Sequence, residues 1–574
     1  RGSSARRNPP PGNLTANNFN DHFSSVAESL LQSQTSGQDS PYVCPPVLRD
    51  FCKERTTGTP PFSIPFMAVH EVGKLISKLK SKKSTGPDDI SPQILKLSLP
   101  YTVSSLTHIY NLCIQKNVFP SQLKLAKVIP LPKTKDLSDP SNYRPISLLS
   151  VLSKPLERYV HQHLLEYLER RKLVHPLQSG FRPQHSCHTA LSRMTNVWLS
   201  NMNNSLVTGV VFLDFKKAFD VVNHNILVKK LSTYLCNESV VQFFKSYLEG
   251  RSQRVFLNGS YSSKRKISSG VPQGSILGPL LFTLFINDLP LHISQSSTKC
   301  DLFADDTSVH TADRDIAVVN TTLQQNLHDV SDWCKNNLMI VHPGKTKSMV
   351  IATRQRHQLR PLSLKLSLDG VPIEQVSNHQ LLGVTVDSQL SWKPHVNNLC
   401  KILSRKLFLL SKLKYIIDSN CLMLFYHAHV KSHIDYASTV WDGCSDNNMK
   451  GLNSLYRRAA KILLSNPSIT TDQKLEKLKL LPLRQHLAYN KGVFMFKVWN
   501  KKTPGYMQEF FNESKSRYGR ASKLYTIPRP RIDIFKTSLC FSGAFIWNSL
   551  PCTVKTVCSI PIFRDCLFKH LWSQ

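Results

Sequence analysis

Two adjacent aspartates, Asp305 and Asp306, interrupt an apolar run, preceded by Leu302-Phe303-Ala304 and followed by Thr307-Ser308-Val309. That pattern reads as a buried hairpin with the acids at its tip. Aspartate is common in turns because its carboxylate accepts hydrogen bonds from nearby backbone. Here the two carboxylates cap buried segments, and they repel one another unless one is protonated or a cation neutralises the pair. A third acid, Asp214, closes another apolar run upstream, Val210-Val211-Phe212-Leu213. Three acids at neighbouring strand ends make a hard-oxygen donor set. Such a set suits two Mg²⁺ ions, with Mn²⁺ able to substitute, about 3.5–4 Å apart, the arrangement that drives in-line displacement at phosphorus.

The charge balance points the same way. Lys+Arg number 73 against Asp+Glu 38, a formal net charge of +35 over 574 residues. An excess of that size implies a polyanionic partner, nucleic acid before membrane. The longest apolar run, around Leu277–Ile286, is broken by Gly278-Pro279 and is too short to span a bilayer. The 14 cysteines follow no disulfide-scaffold or zinc-module spacing. Cys552, Cys558, Cys566 and His570 are read as small core residues of a terminal helix rather than as a metal site. The chain starts with Arg1, which points to a fragment with a region missing upstream.

The fold class expected is α+β with an antiparallel sheet. Residues 1–65 read as a flexible leader, rich in Pro, Ser, Asn and Thr. Helices are expected at 97–118, 146–172, 224–250, 279–288 and 315–338, with a strand at 127–131 and a β-ribbon at 253–268. Residues 395–464 read as helical and basic. Asp88-Asp89 is read as structural, and Tyr415, Tyr426, Tyr436 and Trp441 as core.

A series of segments, taken in order, resembles the reverse transcriptase of non-LTR (LINE-type, jockey-like) retrotransposons. It runs through Ser84-Thr85-Gly86-Pro87-Asp88, Ala126-Lys127-Val128-Ile129-Pro130-Leu131-Pro132-Lys133, Ser141-Asn142-Tyr143-Arg144-Pro145-Ile146-Ser147 and Gln178-Ser179-Gly180-Phe181-Arg182. It continues through Leu213-Asp214-Phe215 to Phe219-Asp220, Gly270-Val271-Pro272-Gln273-Gly274-Ser275, Phe303-Ala304-Asp305-Asp306, Lys345-Thr346-Lys347 and Leu382-Gly383-Val384. The resemblance is strong over residues 70–390 and weaker beyond.

It implies a right-hand polymerase with fingers and part of the palm at 66–208, palm at 209–390, a helical thumb at 391–470 and a C-terminal extension at 471–574. The reverse transcriptase domain as a whole is expected at about 112–388. Asp214, Asp305 and Asp306 would hold the metals, with the Phe215 carbonyl assisting. Phe219 would exclude a 2′-hydroxyl, and Gln273 and Gly274 would support the incoming nucleotide. Lys133, Arg144 and Arg182 would grip its phosphates or the template. Lys345 would protonate the departing pyrophosphate, with Lys347 as its alternative. Lys401, Arg405, Lys412, Lys414, Arg457 and Arg458 would contact an RNA–DNA duplex backbone.

The implied partners are an RNA template, a DNA primer or target, and dNTPs; no membrane is implied. The implied setting is the nucleus, with a cytoplasmic ribonucleoprotein stage. An RNA-dependent RNA polymerase and a decayed or domesticated copy that binds nucleic acid without catalysis are the rival readings. A target-nicking endonuclease, if present, is expected upstream of Arg1.

Overall fold

The computed structural model describes residues 14–35, 42–81, 84–293, 297–359, 362–514 and 524–573. The fold is mixed α/β, with two five-stranded sheets, two small hairpins and many helices. The chain falls into two compact units. The first comprises Arg1–Phe181, Asp214–Ser294 and His328–His342; the second comprises Arg182–Leu213, Gln295–Leu327 and Pro343–Gln574.

In the first unit, strand Leu125–Pro132 pairs antiparallel with Tyr143–Leu148 and parallel with Arg251–Leu257, which in turn pairs antiparallel with Arg265–Ile267. Helices Ser153–Arg170, His224–Leu235, Glu238–Leu248 and Gly278–Ile286 supply an apolar core that includes Leu156, Val160, Leu231, Phe244, Leu281 and Phe285. The carboxylate of Glu157, 1% exposed, accepts hydrogen bonds from Ile276 N at 2.8 Å and Leu277 N at 3.4 Å. It thus satisfies amides just before the helix Gly278–Ile286, where negative charge is also favoured by the helix dipole.

Three sequence expectations change here. The helix expected from 146 begins at Ser153, because Tyr143–Leu148 is a strand; register pairs Pro145 with Pro130 and Ile146 with Ile129. The helix expected over 224–250 is two helices, broken at Cys236, whose φ of 51° is left-handed. The leader reads as flexible in sequence, yet Ala16–Thr35 and Pro46–Thr56 are helical. Phe19 is fully buried, edge-on to Tyr143 with ring centroids 4.7 Å apart, and Asn20 bonds Ser263 O and Gln253. Tertiary burial of one aromatic face overrides the polar composition there. Residues 1–13 and 36–41 of the leader lie outside the described residues.

In the second unit, strand Val207–Leu213 is buried at all seven positions. It lies between Lys347–Ile351 and Asp306–Asp313, antiparallel to both, and Lys299–Phe303 completes the hairpin with Asp306–Asp313. Glu374–Gln375 adds a short parallel edge. Helices Cys187–Asn203, Lys393–Leu413 and Asp446–Leu463 share one large core with this sheet, built around Trp198, Val210, Phe212, Leu403, Leu407 and Trp441. Of the four aromatics expected in the core, Tyr426 and Trp441 are buried, whereas Tyr415 and Tyr436 are exposed. Cys552 and Cys558 are also exposed rather than core, and only Cys566 is half-buried.

Candidate active site

The hairpin expected around the acid doublet is present. Phe303 pairs with Asp306, so Ala304-Asp305 form a two-residue turn, and Ala304 is held at φ 59°. A left-handed alanine costs about 1–2 kcal/mol and persists only where its surroundings fix it. The support lies two residues before Phe303. Asp301 is buried, and its carboxylate accepts hydrogen bonds from the Arg193 guanidinium at 2.6 Å and the His310 ring at 2.9 Å. Burial alone would raise this carboxyl; the Arg193 charge and the His310 bond hold it below the ordinary carboxylate range. Asp305 is half-buried and Asp306 exposed.

Strand Val207–Leu213 fixes the position along the sheet, since Leu213 pairs with Thr307, the residue after the doublet. Asp214 is the next residue of the chain and opens a segment of the first unit. There its carbonyl accepts from His342 N at 2.7 Å, Phe215 bridges Val341, and Lys216 N donates to Ile340 O at 2.8 Å. The backbone at Asp214 and Phe215 is therefore pinned to the segment 340–342. Among the described residues, no group of three or more His, Cys, Asp or Glu side chains stands ready to hold a metal ion. The donors belong to different units, and their chemistry, hard carboxylate oxygens, is what Mg²⁺ prefers.

The nucleotide-side residues of the first unit converge on one loop. Phe219 stacks on Phe282 at 4.2 Å and meets the exposed Phe181 edge-on at 6.4 Å. Val271 N donates to Phe219 O at 2.9 Å, which ties the loop to the turn after Asp214. Gly274 sits at φ +94°, and a Cβ there would lie 2.5 Å from Ser147 O, so only glycine fits. The Gln273 amide, expected to face a sugar hydroxyl, donates to Asp220 at 2.6 Å. Asp220 escaped the sequence reading; burial pushes its carboxyl up, opposed by that bond. Lys133 and Arg144 are exposed, Lys133 reaching Ser141 O at 3.3 Å. Arg182 belongs to the second unit and is half-buried. Asp88, as expected, is structural: it accepts from Ser150 and from Ile90 N.

In the second unit Lys345 is exposed, while Lys347 is committed to Glu374 at 2.6 Å and to Gly344 O at 2.8 Å. Leu382-Gly383 is the tip of a hairpin, with φ 46° and 81°, and Leu381 pairs with Val384. The exposed Tyr436 holds the tip, its hydroxyl donating to Leu382 O at 2.7 Å. Lys401, Arg405, Lys412 and Arg458 are exposed and Lys414 is half-buried. Arg457 differs from expectation: both its terminal nitrogens bond Asp472, at 2.6 and 3.2 Å.

Residues 131–386 match the family described as reverse transcriptase (RNA-dependent DNA polymerase). The chain is also 30% identical over 412 residues to the probable RNA-directed DNA polymerase from transposon BS of Drosophila melanogaster, covering 70% of this chain and 45% of that protein. Residues 131–386 thus form a reverse transcriptase domain, similar to those of non-LTR retrotransposons. Two further relatives from Drosophila melanogaster agree. The RNA-directed DNA polymerase from mobile element jockey is 29% identical over 433 residues, covering 72% of this chain and 47% of that protein. The probable polymerase from transposon X-element is 28% identical over 400 residues, covering 68% and 43%. The chain thus spans about half the length of the curated relatives it matches. The reverse transcriptase domain contains the acid doublet, Phe219, Gln273 and the hairpin at Gly383, and the basic helices lie beyond it. No helix of the described residues is long and apolar enough to cross a membrane.

Proposed function

We propose that this chain is an RNA-directed DNA polymerase, transferring dNMP from dNTP to a primer 3′-hydroxyl on an RNA template. The observation that carries the proposal is the register that sets Leu213, the residue before Asp214, opposite Thr307, the residue after Asp306. Asp214, Asp305 and Asp306, with the Phe215 carbonyl, would hold two Mg²⁺ ions, for which Mn²⁺ can substitute. When bound, such ions activate the attacking hydroxyl and neutralise charge on the triphosphate. The protein's own part is to keep the three carboxylates fixed, which the Asp301 network and the pinned backbone at Phe215 support. Lys345 is the proton donor to pyrophosphate, with Lys347 as its alternative. Lys133, Arg144 and Arg182 contact phosphates, and Lys401, Arg405, Lys412, Lys414 and Arg458 follow the template–primer duplex, with Arg457 joining once released from Asp472.

In this reading the layout is a right hand: fingers from 66, palm from 209, thumb over 391–470 and a C-terminal extension to 574. Synthesis would take place in the nucleus at a DNA target, after a cytoplasmic ribonucleoprotein stage. The test is Mg²⁺-dependent extension of a DNA primer on an RNA template by the purified chain, beside Asp305→Asn. Loss of one metal carboxylate should lower incorporation by about 10³-fold or more, and equal rates would overturn the assignment. Phe219→Val should raise the rNTP:dNTP incorporation ratio by about 10-fold or more, because the ring's bulk would exclude the 2′-hydroxyl. An unchanged ratio removes that role.

A further inference from the structure

The first unit contains a cavity of about 90 Å³ lined in part by Pro272-Gln273 and in part by cations that the polymerase reading does not use. Its centre is Arg251, 4% exposed. The Arg251 Nε donates to Tyr247 O at 2.7 Å, and the guanidinium lies 4.2 Å from the Tyr247 ring centroid. Both terminal nitrogens, Nη1 and Nη2, are buried and without a hydrogen-bond partner. A buried guanidinium with its fork unsatisfied loses the solvation of a full charge, a penalty of several kcal/mol that native structures normally offset.

The surroundings deepen the problem rather than relieve it. Lys124, Lys217, Lys266 and His22 also line the cavity. Lys124 precedes the strand that begins at Leu125, which pairs with Ser252, and Lys266 lies on the other neighbouring strand, opposite Ser252. Burial and the Arg251 charge both lower the Lys124 amine, opposed by the exposed Glu249. The acid in the lining is Asp220, already bonded to Gln273 and pushed toward its neutral form by burial. Excess cationic charge faces this space, and a planar fork with two free donors is matched to the paired oxygens of an oxyanion.

We propose that this cavity is a phosphate-binding pocket, in which Arg251, Lys124 and Lys266 hold a phosphate group of the substrate. It rests on the polymerase reading only for the sources of that phosphate: a phosphodiester of the single-stranded template or the phosphates of the nucleotide. The cavity shares Pro272-Gln273 with the loop assigned to nucleotide support, so a phosphate seated there would also fix the Gln273–Asp220 pair.

The experiment is a salt titration of the binding of a fluorescent single-stranded RNA by the full chain, compared with Lys124→Gln/Lys266→Gln and with Arg251→Gln. Each lost phosphate contact should reduce the slope of log K against log salt by about 0.7 for a single strand. Affinity at fixed salt should fall by about 10-fold. In parallel, equilibrium binding of dATP to the same proteins reads the nucleotide arm. A smaller RNA slope with unchanged dATP affinity assigns the phosphate to the strand; a weaker dATP affinity with an unchanged slope assigns it to the nucleotide. Neither change, in variants with wild-type melting curves, overturns the pocket and leaves a hydrated arginine. Should Arg251→Gln fail to fold, the lysine pair, which is exposed at Lys266 and half-buried at Lys124, carries the comparison. No arm requires turnover, so an inactive wild type would sink the polymerase reading without touching this result.

Discussion

In the first unit, Asp288 is 1% exposed beside a fully buried Lys230; in the second, Asp301 is 7% exposed beside Arg193 and His310. The two carboxylates are satisfied in different ways. Asp288 takes Lys230 at 2.7 Å and the Trp333 indole at 3.0 Å on one oxygen, while its other oxygen is buried without a partner. Asp301 has both oxygens bonded, one of them by two donors. Asp301 lies on the strand that leads into the acid doublet. Asp288 lies just past the helix whose Phe282 supports Phe219, and Trp333 meets Phe215 edge-on at 6.5 Å. The strand that must fix two acids at a strained turn is thus backed by a redundant network, whereas the nucleotide side hangs on a single ion pair.

The largest effect separating them is the loss of one cation. Lys230→Met leaves Asp288 buried with the indole alone, and should cost about 3–5 kcal/mol. Arg193→Met leaves Asp301 its hydrogen bond to His310, and should cost about 1–3 kcal/mol. Chemical denaturation of both variants measures the difference. Equal losses would mean that redundancy at Asp301 is not what stabilises it.

Two glycines sharpen the contrast at smaller cost. A Cβ at Gly209, on the central strand of the second unit, would meet side-chain atoms of Val319 and Leu323 at 2.5 and 2.6 Å. At Gly274 it would meet the Ser147 carbonyl, in a left-handed backbone. Side chains can turn aside and a paired strand cannot. Gly209→Ala should therefore cost about 1–3 kcal/mol of stability and spare kcat. Gly274→Ala should displace Gln273 and lower kcat by about 10–100-fold, read in primer extension on folded protein.

The acid-doublet hairpin was legible in the sequence because a charged pair between two apolar halves leaves the chain few other ways to bury them. What stayed hidden was non-local. Nothing near Lys124 in sequence announces that it will lie beside Arg251, since a parallel pairing joins segments far apart and carries no turn signal. Leu148 reads as part of a helix because Leu148, Leu149 and Leu152 share its period, and only pairing with Lys127 makes Leu148 a strand residue. Tyr415 and Tyr436 were misjudged as core because aromatic character alone does not say which helix face meets solvent.

A third acid in the second unit tests the same principle at partial exposure. Asp435 accepts hydrogen bonds from His486 at 2.6 Å and Asn490 at 3.0 Å, and pairs with Lys431. Burial would raise its carboxyl, but His486 and Lys431 hold it at about 2, against 3.8 for the free side chain. The folded value lies below the unfolded one, so its stabilisation is complete above about pH 4 and disappears as pH falls toward 2. With the carboxylate about a third exposed, solvent screening reduces the contribution to about 1–2 kcal/mol. The stability gap between wild type and Asp435→Asn should therefore close on acidification through that window. A gap that persists at pH 2 would show that hydrogen bonding by the neutral acid, rather than its charge, carries the network.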